Sequence, residues 1–248
     1  MLSRYGLIGY PLSHSFSKKY FTDKFSTLKI DSLYELFPIE SIADLPDLLN
    51  EHPDLKGLNV TIPYKRQIID LLDDLSDEAR KINAVNTVKI SRVNNNLYLK
   101  GFNTDAPAFE SELIDFTNNT KGNVLILGTG GASAAVSFVL EKLDWDFRFV
   151  SRKPSNEKSI SYEALDDALI KKTKLIVNTT PVGMYPNLDN SPHIPYSALS
   201  GNHYLFDLVY NPELTEFLKK GQMQGAKIRN GLGMLYKQAE LAWSIWQL

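Results

Sequence analysis

Three short polar segments in the first half of the chain carry residue types that can recognise an anion and a ring of hydroxyls. Ser13-His14-Ser15-Phe16-Ser17 places hydroxyls at alternate positions beside a helix start. Such hydroxyls can donate two hydrogen bonds to a carboxylate where the helix terminus adds positive potential. The same spacing also suits an ordinary N-cap with spare serines. Asn59-Val60-Thr61-Ile62-Pro63-Tyr64-Lys65 reads as a strand with Asn59 and Thr61 on one face. The proline turn then puts Lys65 beyond the strand's end, where a helix is expected to open around Tyr64 and Lys65. Asn83-Ala84-Val85-Asn86-Thr87 and Asn103-Thr104-Asp105 add amides, hydroxyls and one carboxylate. Asn86 and Asp105 serve equally well as buried turn formers. As a set, these groups can bind a carboxylate and several ring hydroxyls.

A second constellation begins at Asn123-Val-Leu-Ile-Leu-Gly128-Thr129-Gly130-Gly131-Ala132-Ser133. An apolar strand runs into a glycine turn, and small residues lead into a helix. Gly128 allows the tight turn, and Gly130 lets the backbone approach a pyrophosphate closely. Free N–H groups at the helix start attract the anion, and Ser133 is small enough for helix and strand to pack. This is a dinucleotide fingerprint. The choice of dinucleotide falls at the end of the next strand, Phe147 to Val150. An acidic residue there would hold ribose hydroxyls; Asp146 has about the right count but precedes the strand. The far end carries Ser151-Arg152-Lys153, a hydroxyl and two cations suited to a 2′-phosphate. NADP is the favoured cofactor.

The elements that must position these groups follow from periodicity. Strands are expected at Tyr5 to Tyr10, Leu33 to Ile39 and Gly57 to Ile62, with helices at Phe16 to Leu28 and Ile42 to Asn50. Ala84 to Ile90 and Leu97 to Phe102 form a hairpin around Asn94-Asn95-Asn96. This first part is an α/β unit of mixed strand direction. A helix from Asp105 to about Phe116 precedes the glycine strand. Further strands at Phe147 to Val150, Leu175 to Asn178 and Tyr204 to Val209 alternate with helical stretches, as in a doubly wound parallel sheet. Met234 to Trp246 closes the chain as an apolar-striped helix.

Bulk properties exclude several classes. The 248 residues carry a net charge of −2, which gives no argument for nucleic acid or an anionic membrane as partner. There is no cysteine, so disulfides, thiolate zinc sites and a cysteine nucleophile are excluded, and the composition fits a reducing cytoplasm. No metal site is expected: His14, His52, His193 and His203 are scattered. The N-terminal apolar run is broken by Gly6, Gly9 and Pro11, unlike a secretory signal. No apolar stretch approaches the ~20 residues of a membrane span.

The joint occurrence of these motifs along nearly the whole chain resembles the shikimate dehydrogenase family. Asn59-Val-Thr-Ile-Pro-Tyr-Lys65 is similar to the family's N-V-T-[VI]-P-[FY]-K signature. The resemblance implies that Lys65 is the catalytic lysine and Asp105, in the N-T-D segment, its partner. It implies further that Ser15 and Ser17 grip the substrate carboxylate, and that Asn59, Thr61 and Asn86 contact substrate. Gly128 to Ser133 matches the phosphate loop, and Ser151-Arg152-Lys153 stands in place of the NADP-selecting N-R-T. Asn178-Thr179-Thr180-Pro-Val-Gly-Met is similar to N-[AT]-[TS]-x-x-G-M, placing Asn178, Thr179 and Thr180 by the cofactor. Asp207-Leu-Val209-Tyr210-Asn-Pro resembles D-x-x-Y-x-P, which puts Val209 by the cofactor and Tyr210 by the substrate. In Gly231-Leu-Gly-Met234-Leu-Tyr-Lys-Gln238, the match implies nicotinamide neighbours at Gly231 and Met234 and a hydroxyl ligand at Gln238. Ser151 replaces an asparagine and Asn156 a second arginine, whose charge Lys153 can supply.

The implied activity is NADP-dependent interconversion of 3-dehydroshikimate and shikimate, with a broader quinate/shikimate dehydrogenase as the alternative. The implied architecture assigns residues 1–104 and 231–248 to substrate binding and catalysis, and 105–230 to a Rossmann-type NADP domain. Two rival readings are weaker. Tyr20-Phe-Thr-Asp-Lys24 fits the Tyr-x-x-x-Lys of short-chain dehydrogenases, but it precedes the glycine loop, whereas that chemistry needs it after. A nucleotide sensor that has lost its chemistry would not require both Lys65 and Asp105.

Overall fold

The computed structural model describes residues 2–12, 15–94 and 96–248; Met1, Ser13, His14 and Asn95 lie outside the described residues. The chain divides into two compact units, Met1–Thr104 with Ala239–Leu248, and Asp105–Gln238. The closing helix supplies residues to each.

In the first unit, β1 (Ser3–Gly9), α1 (Phe16–Leu28), β2 (Ser32–Pro38), α2 (Leu45–Glu51) and β3 (Leu55–Val60) follow one another. After them come β4 (Asp74–Leu75), α3 (Asp77–Ile82), β5 (Thr87–Val93) and β6 (Asn96–Phe102). The sheet order is β2-β1-β3-β5-β6-β4. β1 runs parallel to β2 and β3, whereas β5 is antiparallel to β3 and β6, so the sheet is mixed as the sequence predicts. Alternation along β1 sends Tyr5 and Leu7 to one face and Ile8 to the other. The Ile8 face packs on Leu45, Leu48, Leu49 and Ile68, and the Tyr5 face on Phe21, Phe25 and Trp246.

The second unit contains α4 (Asp105–Thr117), β7 (Asn123–Leu127), α5 (Gly131–Lys142), β8 (Phe147–Val150), β9 (Ser159–Ile160) and α6 (Asp167–Lys172). It continues with β10 (Thr173–Asn178), β11 (Tyr204–Asp207), α7 (Glu216–Met223), β12 (Lys227–Arg229) and α8 (Leu232–Gln247). All pairings are parallel, in the order β12-β11-β10-β7-β8-β9. The chain winds outward from β7 in one direction, then returns and winds outward from β10 in the other. This is the strand order of a dinucleotide-binding sheet, with its switch point between β7 and β10.

Two expected helices differ from what forms. Ile42 to Asn50 divides into a 3-10 turn at Ile42–Asp44 and α2, because Pro46 sits at the start of the α-helix and has no N–H to continue an earlier ladder. After Lys65 no α-helix opens; the segment turns through residues 62–66 into a five-residue 3-10 turn at Gln67–Leu71. That turn is fixed by Val85 N–H donating to the Lys65 carbonyl at 2.7 Å and by Tyr64 Oη donating to the Ile39 carbonyl at 2.7 Å.

Candidate active site

In the first unit the candidate residues gather where β1 and β3 end and β5 begins. Thr61 N–H donates to the Ile8 carbonyl at 3.0 Å, and Val60 N–H to the Asn86 carbonyl at 2.9 Å. The ends of β1 and β3 therefore lie beside the start of β5. Ser15 is the N-cap residue of α1, yet its side chain makes no capping hydrogen bond. Ser17, the second residue of the helix, is buried. Asn59 is 5% exposed and fully engaged on both amide atoms. Its Oδ1 accepts from Tyr34 Oη at 2.7 Å, and its Nδ2 donates to Thr87 Oγ1 at 3.3 Å and the Asn86 carbonyl at 3.4 Å. Asn86 in turn donates to Thr104 Oγ1 at 2.9 Å and accepts from Thr104 N–H at 2.7 Å. Thr61 and Lys65 stand half-buried past the end of β3.

Asn59 and Asn86 are thus parts of one buried polar chain rather than separate turn formers. Tyr34 belongs to that chain and sequence reasoning passed over it, because an aromatic in an alternating strand reads as plain core. Burial raises the Tyr34 phenol well above its ordinary pKa, while Ser17, as hydrogen-bonding partner of the same hydroxyl, lowers it.

In the second unit the candidate residues gather at the carboxyl ends of the parallel strands. Gly128 has φ +107°, a conformation L side chains rarely adopt, and its N–H donates to the Val150 carbonyl at 2.9 Å. That bond sets the exposed Arg152 and Lys153 just past β8, next to the glycine turn. Ser151 Oγ accepts from Lys153 N–H at 3.2 Å, which keeps the loop tight. Gly130 caps α5, and a Cβ built there would meet nothing within 4 Å. The space before the first amides of the helix, at Gly131, Ala132 and Ser133, is therefore open to an anion. Ser133 Oγ donates to the Gly130 carbonyl at 2.6 Å and is buried, the small third position the fingerprint requires.

Across the switch point, Thr179 donates to the Leu127 carbonyl through N–H at 3.0 Å and through Oγ1 at 2.7 Å. Asn178 Oδ1 accepts from Thr180 N–H at 3.1 Å and Oγ1 at 2.6 Å, while Nδ2 donates to Asp207 Oδ1 at 2.9 Å. Asp207 is wholly buried and also accepts from Val209 N–H at 3.0 Å and Thr215 Oγ1 at 2.6 Å. Burial pushes its carboxyl up to about 6; the donors from Thr215, Val209 and Asn178 pull the other way. Asp207 thereby holds the Asn178 loop and the Val209–Tyr210 loop in one arrangement. Burial also raises the Tyr210 phenol.

The start of α8 is pinned to that second loop. Gly231 N–H donates to the Val209 carbonyl at 3.2 Å, and a Cβ at Gly231 would collide with the Leu208 carbonyl oxygen. Met234 is buried, and Gln238 Nε2 donates to the Leu235 carbonyl of its own helix at 3.0 Å. Asp105 is the buried first residue of α4. Tyr20 and Lys24, the chance Tyr-x-x-x-Lys, both bond to Glu240 on α8, Lys24 Nζ at 2.5 and 2.7 Å, which accounts for them as packing partners.

The arrangement fits NADP: a glycine turn before a helix start, with two exposed cations at the end of the adjacent strand. Residues 7–88 match the family described as the shikimate dehydrogenase substrate binding domain. The chain is 38% identical over 252 residues to the shikimate dehydrogenase (NADP(+)) of Clostridium beijerinckii, covering 98% of this chain and 91% of that relative. It is similar, at TM-score 0.83 and 32% identity, to the crystal structure of shikimate 5-dehydrogenase from Thermus thermophilus in complex with NADP(H) and shikimate, covering 98% of this chain and 93% of that one. It is also similar to the quinate dehydrogenase from Corynebacterium glutamicum in complex with NAD, at TM-score 0.86 and 26% identity, covering 99% and 94%. With 38% identity across nearly all of both sequences, the chain belongs to the shikimate dehydrogenase family.

Proposed function

We infer that this protein interconverts 3-dehydroshikimate and shikimate with NADP, in the cytoplasm, as a step toward aromatic amino acids. The observation that carries this reading is the pairing of two constellations in one family member. One is a glycine turn flanked by Arg152 and Lys153 at a sheet's switch point; the other is a cluster of hydroxyls and amides where β1 and β3 end and β5 begins, with Lys65 half-buried just past β3. When bound, the nicotinamide supplies or accepts the hydride at the ring carbon.

The chain's residues do the rest. Ser15 and Ser17 donate to the substrate carboxylate, and Asn59, Thr61, Asn86, Tyr210 and Gln238 contact the rest of the substrate. Gly128 to Ser133 hold the pyrophosphate, and Asn178 to Thr180, Val209, Gly231 and Met234 line the nicotinamide side. Lys65 takes the proton from the substrate hydroxyl as shikimate is oxidised and returns it to the ketone oxygen in reverse, while Asp105 holds the lysine in position.

Lys65→Met keeps much of the stem and removes the charge. It is expected to lower kcat for shikimate oxidation by ~10²–10⁴ with little change in KM. A raised, salt-dependent KM at near-normal kcat would instead make Lys65 a steering charge. The alternative of broader substrate or cofactor range is supported by the similarity to a quinate dehydrogenase in complex with NAD and, for the cofactor, by Ser151 and Asn156, where the family's asparagine and second arginine are replaced.

A further inference from the structure

Tyr34 lies on β2, one strand removed from β3, and its hydroxyl crosses above β1 to reach Asn59. The register sets this up: Tyr34 pairs with Tyr5 of β1, and Leu7 of β1 pairs with Asn59. The ring is held flat against Phe21, with centroids 4.6 Å apart and planes 14° from parallel, and Trp246 flanks it at 6.4 Å. At 3% exposure the phenol has no access to bulk water. A phenylalanine would fill the same space without a polar atom to satisfy, so the hydroxyl needs an account. Its hydrogen-bond partner is Asn59 on β3, whose Oδ1 accepts at 2.7 Å.

The amide of Asn59 has two orientations of nearly equal shape. A donor from Tyr34 selects the one with Oδ1 toward the tyrosine and Nδ2 toward Thr87 and the Asn86 carbonyl. Thr87 Oγ1 then donates to Asn86 Oδ1 at 3.2 Å, and Asn86 fixes Thr104. The chain of bonds runs unbroken from Tyr34 on β2 to Thr104, just past β6.

We propose that Tyr34 is a positioning residue for the substrate, its hydroxyl locking the Asn59 amide into one orientation. On the functional reading given above, on which this inference rests, Asn59 contacts the substrate. Tyr34 therefore fixes which way a recognition residue presents its amide before the substrate arrives. Pre-set donors bind more tightly than donors that must first be ordered.

Steady-state kinetics of Tyr34→Phe test this. KM for shikimate is expected to rise ~10-fold, as for a lost hydrogen bond, with KM for NADP unchanged. In a double-mutant cycle with Asn59→Ala, the pair should be within about twofold of Asn59→Ala alone, because the tyrosine acts through the asparagine. Unchanged shikimate KM, multiplicative effects in the cycle, or equal losses for NADP and shikimate overturn the proposal. Should Tyr34→Phe fail to fold, tyrosine labelled with ¹³Cζ at position 34 of the otherwise wild-type protein tests the same point. Its resonance must move on adding shikimate and stay put on adding NADP alone, and no shift with shikimate overturns the proposal. Wild-type protein that does not turn over shikimate would remove the functional reading itself. An active wild type with an indifferent Tyr34→Phe removes this inference alone.

Discussion

Replacing Asp207 by asparagine is expected to change how the second unit responds to pH. The carboxyl is wholly buried and accepts from Asn178, Val209 and Thr215, yet burial outweighs these donors and lifts it from an ordinary 3.8 to about 6. A raised folded-state value means the native protein binds the proton more tightly than the unfolded chain does. Stability from this group is complete below its unfolded value and is lost as pH rises through about 6. At ~1.4 kcal/mol for each tenfold in proton affinity, the whole effect is ~3 kcal/mol, of which roughly 2 kcal/mol falls between about pH 4 and pH 7. Asparagine occupies the same volume and does not titrate.

Other carboxylates act in the opposite sense. The Asp54 and Asp74 carboxyls lie below their ordinary values beside Arg4 and Lys100, and they favour the folded state as pH rises. The informative quantity is therefore the difference between wild type and Asp207→Asn at each pH. Hydrogen-exchange protection of the β10 and β11 amides, corrected for intrinsic exchange, reports it for this unit. The advantage of wild type over the variant should shrink by ~2 kcal/mol from about pH 4 to pH 7. A difference that stays flat or grows with pH would refute the argument that burial dominates at Asp207.

Two further outcomes follow from the site. Arg152→Ala should weaken NADP binding by ~1.5–3 kcal/mol, the range for a hydrogen bond to a charged group, and NAD much less; equal losses in a titration of both would make Arg152 structural. Ser15→Ala removes no capping bond, so thermal stability should hold where a working cap would cost ~1 kcal/mol, while KM for shikimate rises; lost stability with unchanged KM would return Ser15 to a purely structural role.

Elements with a clear period were legible. Phe16 to Leu28 and Phe147 to Val150 form with the bounds their spacing predicts, and the glycine turn sits at the switch point its motif implies. Short helices were not. α3 and α7 run six and eight residues, short of the ~11–18-residue window over which helical periodicity is read, although each carries a readable cap. Ala79 N–H donates to Ser76 Oγ and Leu218 N–H to Thr215 Oγ1, so a serine or threonine ahead of an acidic first turn was the available signal. The expected helix after Lys65 failed because Val85 and Ile39, distant in sequence, hold that segment as a turn. The candidate residues could be assembled from motif spacing, but the bonds between them could not. Tyr34 reaches Asn59 only because β2 pairs with β1 and β1 with β3, and Asp207 is buried only by its neighbours across the sheet.

The most direct test of the account is a crossed steady-state panel on the wild-type protein, shikimate and quinate each with NADP and NAD, read as reduced nicotinamide absorbance. The highest kcat/KM is expected for shikimate with NADP, with quinate and NAD each carrying a penalty. Quinate turned over as well as shikimate, or NAD used as well as NADP, would contradict it, and no oxidation of shikimate under any cofactor would contradict it outright.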